Sequence, residues 1–146
     1  MVDVGRKAVT RRAAVARGRV EMSRQALSLL TAGRLPKGDA LAAARLAGIL
    51  ATKRVGEWIP LCHPLPVDSA EVRLKPSRGG VDVEATVRAT ARTGVEMEAL
   101  TAVAAACLTL YDMAKSEDRA MTIGPIFLQE KLGGRSGHYR RGRRAP

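Results

Sequence analysis

The order of elements predicts an α+β fold, a split βαβ arrangement in which an antiparallel sheet carries helices on one face. Three observations lead there. Residues 70–74 and 81–89 alternate apolar and polar side chains on either side of the turn-rich Pro76-Ser77-Arg78-Gly79-Gly80, the pattern of a hairpin with one buried face. Two Ala-rich stretches, from Asp39 to about Arg54 and from Thr93 to about Ser116, carry apolar residues at helical spacing. Apolar residues on both sides of Gly124-Pro125 then supply a closing strand.

In chain order, Arg17 to Met22 reads as the first strand. Ser23 through Leu30 reads as a helix with Ser23 as N-cap and Gly33 as its stop. Lys37-Gly38-Asp39 opens the second helix: the Asp39 carboxylate can accept from free N–H groups of the first turn, and Leu41, Leu46, Ile49 and Leu50 recur at helical spacing. Pro60, Pro64 and Pro66 frame Leu61, Cys62, His63 and Leu65; proline lacks an N–H and biases its predecessor away from helix, so an ordered loop is expected. Past the hairpin, Thr93 and Glu96 have the spacing of a capping box, and the helix they open runs through Leu100, Val103, Ala106, Cys107, Leu110 and Met113. A single domain over residues 1–131 is expected, followed by a flexible basic tail over 132–146.

A chain of 146 residues suits one domain with its own core. Aromatics make up only 3%, so the core has to be built from Ala, Val, Leu and Ile, and small side chains imply elements that approach closely. The formal charge of +11 would suggest a nucleic-acid partner if it were spread over one face. Instead, residues 1–20 hold six Arg and Lys against one Asp, residues 132–146 hold five Arg and no acid, and the stretch between is almost neutral. The start of the chain lacks an apolar run of signal-peptide length, and no run of about 20 apolar residues suggests a bilayer span. Cys62 and Cys107 are the only cysteines. A soluble, cytoplasmic protein with reduced thiols is therefore expected.

Asp112 and Lys115 stand three residues apart on the long helix and share a face, where they can hold a substrate or pass protons; the same spacing also makes an ordinary surface ion pair. A helix that is apolar nearly all round has little use for such a pair, which favours chemistry. Glu98 lies on the same stripe, but fourteen residues earlier, which is ~21 Å at the helical rise. One small substrate cannot easily reach both within a chain. If both act, Glu98 of one subunit meets Asp112 of another. Glu96 can serve the capping box or a substrate. His63 sits in a proline-framed loop able to fix its ring, and imidazole exchanges protons near neutrality. Cys62, His63, Cys107 and His138 form no pair of ligand doublets, so neither a metal nor another cofactor is expected. No P-loop or dinucleotide fingerprint is present, so an anionic substrate would be held by side chains: Lys37, Lys53, Lys115, Lys131 and N-terminal arginines, Arg12 among them.

The motifs together resemble the cyclic pyranopterin monophosphate synthase family of molybdenum-cofactor biosynthesis. The resemblance runs almost end to end: Met1-Val2-Asp3-Val4, Lys37-Gly38-Asp39, Ile59-Pro60-Leu61-Cys62-His63-Pro64-Leu65, Gly94-Val95-Glu96-Met97-Glu98-Ala99-Leu100, Tyr111-Asp112-Met113-Ala114-Lys115 and Gly133-Gly134-Arg135-Ser136-Gly137. It implies a ferredoxin-like subunit assembled as a homohexamer, a trimer of dimers, with active sites between subunits. It further implies a lyase that converts (8S)-3′,8-cyclo-7,8-dihydroguanosine 5′-triphosphate to cyclic pyranopterin monophosphate and diphosphate. By this likeness Asp112 and Lys115 are the catalytic pair. Leu61, Cys62, His63, Met97 and Glu98 contact the substrate, joined by Glu96, Lys37, Lys53, Arg12 and Lys131, with the cations serving the triphosphate.

Two other classes compete. A small basic nucleic-acid-binding module would want aromatic platforms among its cations, and of the few aromatics only Tyr139 lies in a basic run. A regulatory ligand-binding domain of the same shape would bind without forming product. The nucleic-acid-binding module would not need Glu98, Asp112 and His63 together.

Overall fold

The computed structural model describes residues 1–142. Its elements are β1 (Thr10–Glu21), α1 (Arg24–Thr31), α2 (Ala40–Thr52), α3 (Val55–Trp58), β2 (Ser69–Ser77), β3 (Gly80–Ala91), α4 (Glu96–Ala114), β4 (Thr122–Ile123), β5 (Phe127–Leu132) and β6 (Tyr139–Arg140). The strands form one antiparallel sheet in the order β2-β3-β1-β5-β6, with β4 also paired to β1. α4 and α2 pack over it, a ferredoxin-like α+β architecture.

β1 is twice as long as the sequence suggested. It pairs with β3 from Thr10↔Ala91 to Glu21↔Gly80, and its inward positions are Ala14, Ala16, Gly18 and Val20, all buried. Ala and Gly have low strand propensity, so the first half gave little local signal; twelve residues of ladder pairing override that preference. The hairpin follows the expected alternation, with Ser77 opposite Gly80 across a tight turn and Val81, Val83, Ala85, Val87, Ala89 and Ala91 buried along β3. The opposite face of the sheet carries Arg17, Arg19, Asp82 and Glu84, joined as the ion pairs Arg17–Glu84 and Arg19–Asp82, each at 2.7 Å.

α1 and α2 begin as their caps require. The Ser23 hydroxyl accepts from the Ala26 N–H at 3.2 Å, and the Asp39 carboxylate accepts from the Ala42 N–H at 2.9 Å. α4 does not start with the expected capping box. Val95 is its N-cap and Glu96 its first residue, so Thr93 stands too far upstream to cap, and no side chain bonds the N-cap position. The buried face of α2 is also narrower than the leucine spacing implied. Ala40, Ala44, Gly48 and Ala51 face inward, whereas Leu46 and Leu50 are 58% and 47% exposed.

The physical reason is the closeness of α2 to α4. A Cβ added at Gly48 would lie 2.9 Å from the Ala102 carbonyl oxygen and 3.1 Å from Val72. Backbone this near to backbone admits only the smallest residues, so the leucines turn outward. Gly48→Val is expected to lower the denaturant midpoint, with a loss of about 1–3 kcal/mol from overpacking. By length and composition alone α4 could cross a bilayer, but it spends its small residues on the sheet and α2, as a core helix does.

β5 runs through Leu132, one residue beyond the expected domain end. Tyr139–Arg140, within the expected flexible tail, pairs with it as β6. The last part of that tail, residues 143–146, lies outside the described residues.

Candidate active site

Three groups of sequence-flagged residues stand at separate places on one subunit. At the C-terminal end of α4, Asp112 accepts from two ammonium groups, Lys115 Nζ at 2.8 Å and Lys37 Nζ at 2.6 Å. The helix itself brings Lys115 to Asp112. Lys37 arrives from 75 residues away, on the turn closed by the bond from Gly38 N–H to the Leu35 carbonyl, just before Asp39 caps α2. All three side chains are about half exposed in the single chain. The hydrogen bonds from Lys115 and Lys37 hold the Asp112 carboxyl down to about 2, so it remains an anion that fixes two cations side by side.

At the N-terminal end of α4, Glu98 points into a cavity of about 250 Å³ with Lys53, Cys62, Pro64 and Leu65 on its walls. Glu98 is only 2% exposed, and its Oε2 has no hydrogen-bond partner among the described residues. Burial pushes its carboxyl above the ordinary range, and the negative charge of Glu96 adds to the rise. The Cys62 thiol is also raised, by burial first and by the charge of Glu98 second, against a bond from the His63 backbone that lowers it. Both shifts work against the charged form. His63 and Met97 are half-buried nearby in sequence, and Leu61 is 70% exposed at the loop tip.

The third group lines a larger cavity of about 790 Å³ where β1, β5 and the start of α4 meet. Arg12, Glu96 and Lys131 all border it, together with Arg6, Arg92 and Arg135. Arg12 is held by the Ala91 and Arg92 carbonyls at 3.4 Å each. The Glu96 carboxylate folds back over Gly94, where any Cβ would collide with it.

One subunit thus joins Asp112, Lys115 and Lys37; Glu98, Cys62 and Lys53; and Arg12, Glu96 and Lys131. It does not join Glu98 to Asp112, which lie near opposite ends of α4. Arg92, Arg54 and Glu57 also line these cavities and were not singled out from the sequence. Their only signal was adjacency to the flagged motifs, Arg92 beside Thr93-Gly94 and Arg54 beside Lys53.

The MoaC family model matches residues 1–134. The chain belongs to the MoaC family. It is similar to the cyclic pyranopterin monophosphate synthase of Parvibaculum lavamentivorans, 58% identical over 142 residues that cover 96% of this chain and 89% of that one. The synthase of Chloroflexus aggregans is 57% identical over 143 residues, covering 97% and 87%. A relative from Mycobacterium tuberculosis, called cyclic pyranopterin monophosphate synthase 3, is 57% identical over 142 residues, covering 97% and 80%.

The three clusters differ in their electrostatics. The Asp112 cluster presents two ammonium groups on a fixed carboxylate, suited to proton delivery and to anionic oxygens. Glu98 is a buried acid with a free oxygen, able to donate a proton when neutral and to accept a hydrogen bond when ionised. The corner with Arg12 and Lys131 is cationic and open, suited to phosphate groups.

Proposed function

We propose that this chain converts (8S)-3′,8-cyclo-7,8-dihydroguanosine 5′-triphosphate to cyclic pyranopterin monophosphate and diphosphate, acting as a lyase in molybdenum-cofactor biosynthesis. What carries the reading is the likeness to named synthases over nearly the whole chain. The chemistry on the surface agrees with it. Ring opening and pyran closure require proton transfers, and closing the cyclic monophosphate forms one P–O bond at the α-phosphorus while breaking the bond to the departing diphosphate.

In this reading Lys115 moves protons during ring rearrangement, and Asp112 holds it and Lys37 in register. The depressed Asp112 carboxyl suits an orienting anion better than a free base. Glu98, Cys62, His63, Leu61 and Met97 embrace the purine-derived rings, with Glu96 beside them. Lys131, Arg12 and Lys53 meet the triphosphate, where developing charge on the leaving diphosphate needs cations.

The site is completed between subunits of a homohexamer, a trimer of dimers, in the cytoplasm. Two observations support this. Glu98 and Asp112 sit ~21 Å apart on one rigid helix, and the outer side of the helix layer exposes Leu46, Leu50 and Leu108, apolar surface of the kind that partner subunits cover. Incubating the purified chain with the cyclised guanosine triphosphate and following products by mass spectrometry tests the activity. Diphosphate and a cyclic pterin monophosphate are expected in equal amounts; bound but unchanged substrate would favour a regulatory domain instead.

A further inference from the structure

The turn after β5 and the strand β6 beyond it, which close the C-terminal hairpin, carry no function in the reading above, yet the turn bounds the cationic corner. Lys131 leaves β5 toward that cavity. Its ammonium is already engaged: it donates to the Ser136 hydroxyl and to the Gly133 carbonyl, the latter at 3.5 Å. Ser136 can reach it because the chain doubles back through Gly133, Gly134 and Gly137, all at positive φ, with a bond from Gly137 N–H to the Gly134 carbonyl at 3.0 Å. The same turn touches the second cation, since a Cβ on Gly134 would strike the Arg12 guanidinium.

The turn is tied down on its far side. β6 pairs Tyr139 with Lys131 and Arg140 with Glu130. His138 Nε2 lies 2.6 Å from Glu130 Oε1, and the Arg141 guanidinium stands 4.6 Å above the Phe127 ring. These contacts have no evident role in the core, because the residues they join are mostly exposed or half-buried. They fasten β6 to β5 just beyond the turn that carries Ser136.

We propose that Ser136 is a positioning residue and that the hairpin is a clasp that presets Lys131 and Arg12 for a polyphosphate. This rests on the substrate assigned above. A lysine's flexible four-carbon stem has rotamer freedom that is lost when its ammonium is fixed. Parking its ammonium on a hydroxyl before substrate arrives lowers the ordering cost on binding, which is preorganisation. The hydroxyl is a weak neutral acceptor, so phosphate oxygens can share or displace it without breaking an ion pair.

The test uses full-length protein and inorganic diphosphate as probe, alongside steady-state kinetics with the cyclised nucleotide. Ser136→Ala is expected to weaken diphosphate binding by calorimetry roughly tenfold and to raise KM by a similar factor, the size of one hydrogen bond to a charged group, with kcat within about twofold. Ser136→Thr keeps the hydroxyl and should restore most of both. Removing the tie with His138→Ala should weaken diphosphate binding in the same direction, with the melting temperature unchanged. Diphosphate affinity that is the same in Ser136→Ala as in the parent overturns the clasp, as does an equal loss in Ser136→Thr. A parent protein that binds diphosphate yet makes no product would overturn the assigned reaction and leave the clasp standing.

Discussion

Chains of Glu98→Ala and Asp112→Ala, each inactive by itself, are expected to regain turnover when unfolded together and reassembled. If every site takes Glu98 from one subunit and Asp112 from its neighbour, random pairing at a 1:1 ratio leaves about a quarter of sites with both residues intact. The expected activity is therefore about a quarter of the parent's. The argument rests on the rigidity of α4, which holds the two carboxyl groups ~21 Å apart within a chain. A mixture that stays as inactive as either variant would place the complete site within one subunit. Asp112→Asn supports the same test from another side. The side chain is half exposed and joined to two surface lysines, so the fold should melt as before, while turnover falls by about a thousandfold or more as Lys37 and Lys115 lose their common anchor.

Glu98→Gln is expected to make the protein more stable and nearly inactive. A buried carboxylate with an unpaired oxygen costs stability when charged; replacing it with a neutral amide of the same shape should return about 1–3 kcal/mol at neutral pH and above. The pH dependence gives the sign. Because burial and Glu96 raise the Glu98 carboxyl in the folded state, the folded protein binds its proton more tightly than the unfolded chain does. Stability attributable to this group is full below the ordinary carboxylate range and is lost as pH rises through the raised value. The advantage of the Gln variant should consequently shrink on acidification and be largest in alkali. Thermal melts of the two proteins from acid to alkaline pH check this, and a stability difference independent of pH would show that Glu98 is not the titrating group. Loss of activity with gain in stability would mark Glu98 as a residue retained for function at the expense of the fold.

Much of the architecture was legible because its signals are local. The alternation of Val81, Val83, Ala85 and Val87 with polar partners marks β3 regardless of what packs on it, and Ser23 and Asp39 mark helix starts because their side chains reach the N–H groups two or three residues on. The misreadings came where distant packing decided. Thr10 to Ala16 looks unlike a strand until β3 lies beside it. Leu46 and Leu50 look like core until Gly48 draws α2 onto α4 and turns them outward. Thr93 and Glu96 have capping-box spacing, but α4 begins two residues too late for Thr93 to serve.

Short runs of residues were enough to settle the family and the main element types and to nominate acid, base and cationic residues, because the chemistry of each run does not depend on distant neighbours. Which of them meet depends on the folded chain. Lys37 joins Asp112 across 75 residues, Glu98 is buried with its Oε2 unpartnered among the described residues, and Ser136 is folded back onto Lys131. Charge, burial and hydrogen bonding act over a few ångströms in space, and the chain has to be folded before those distances exist.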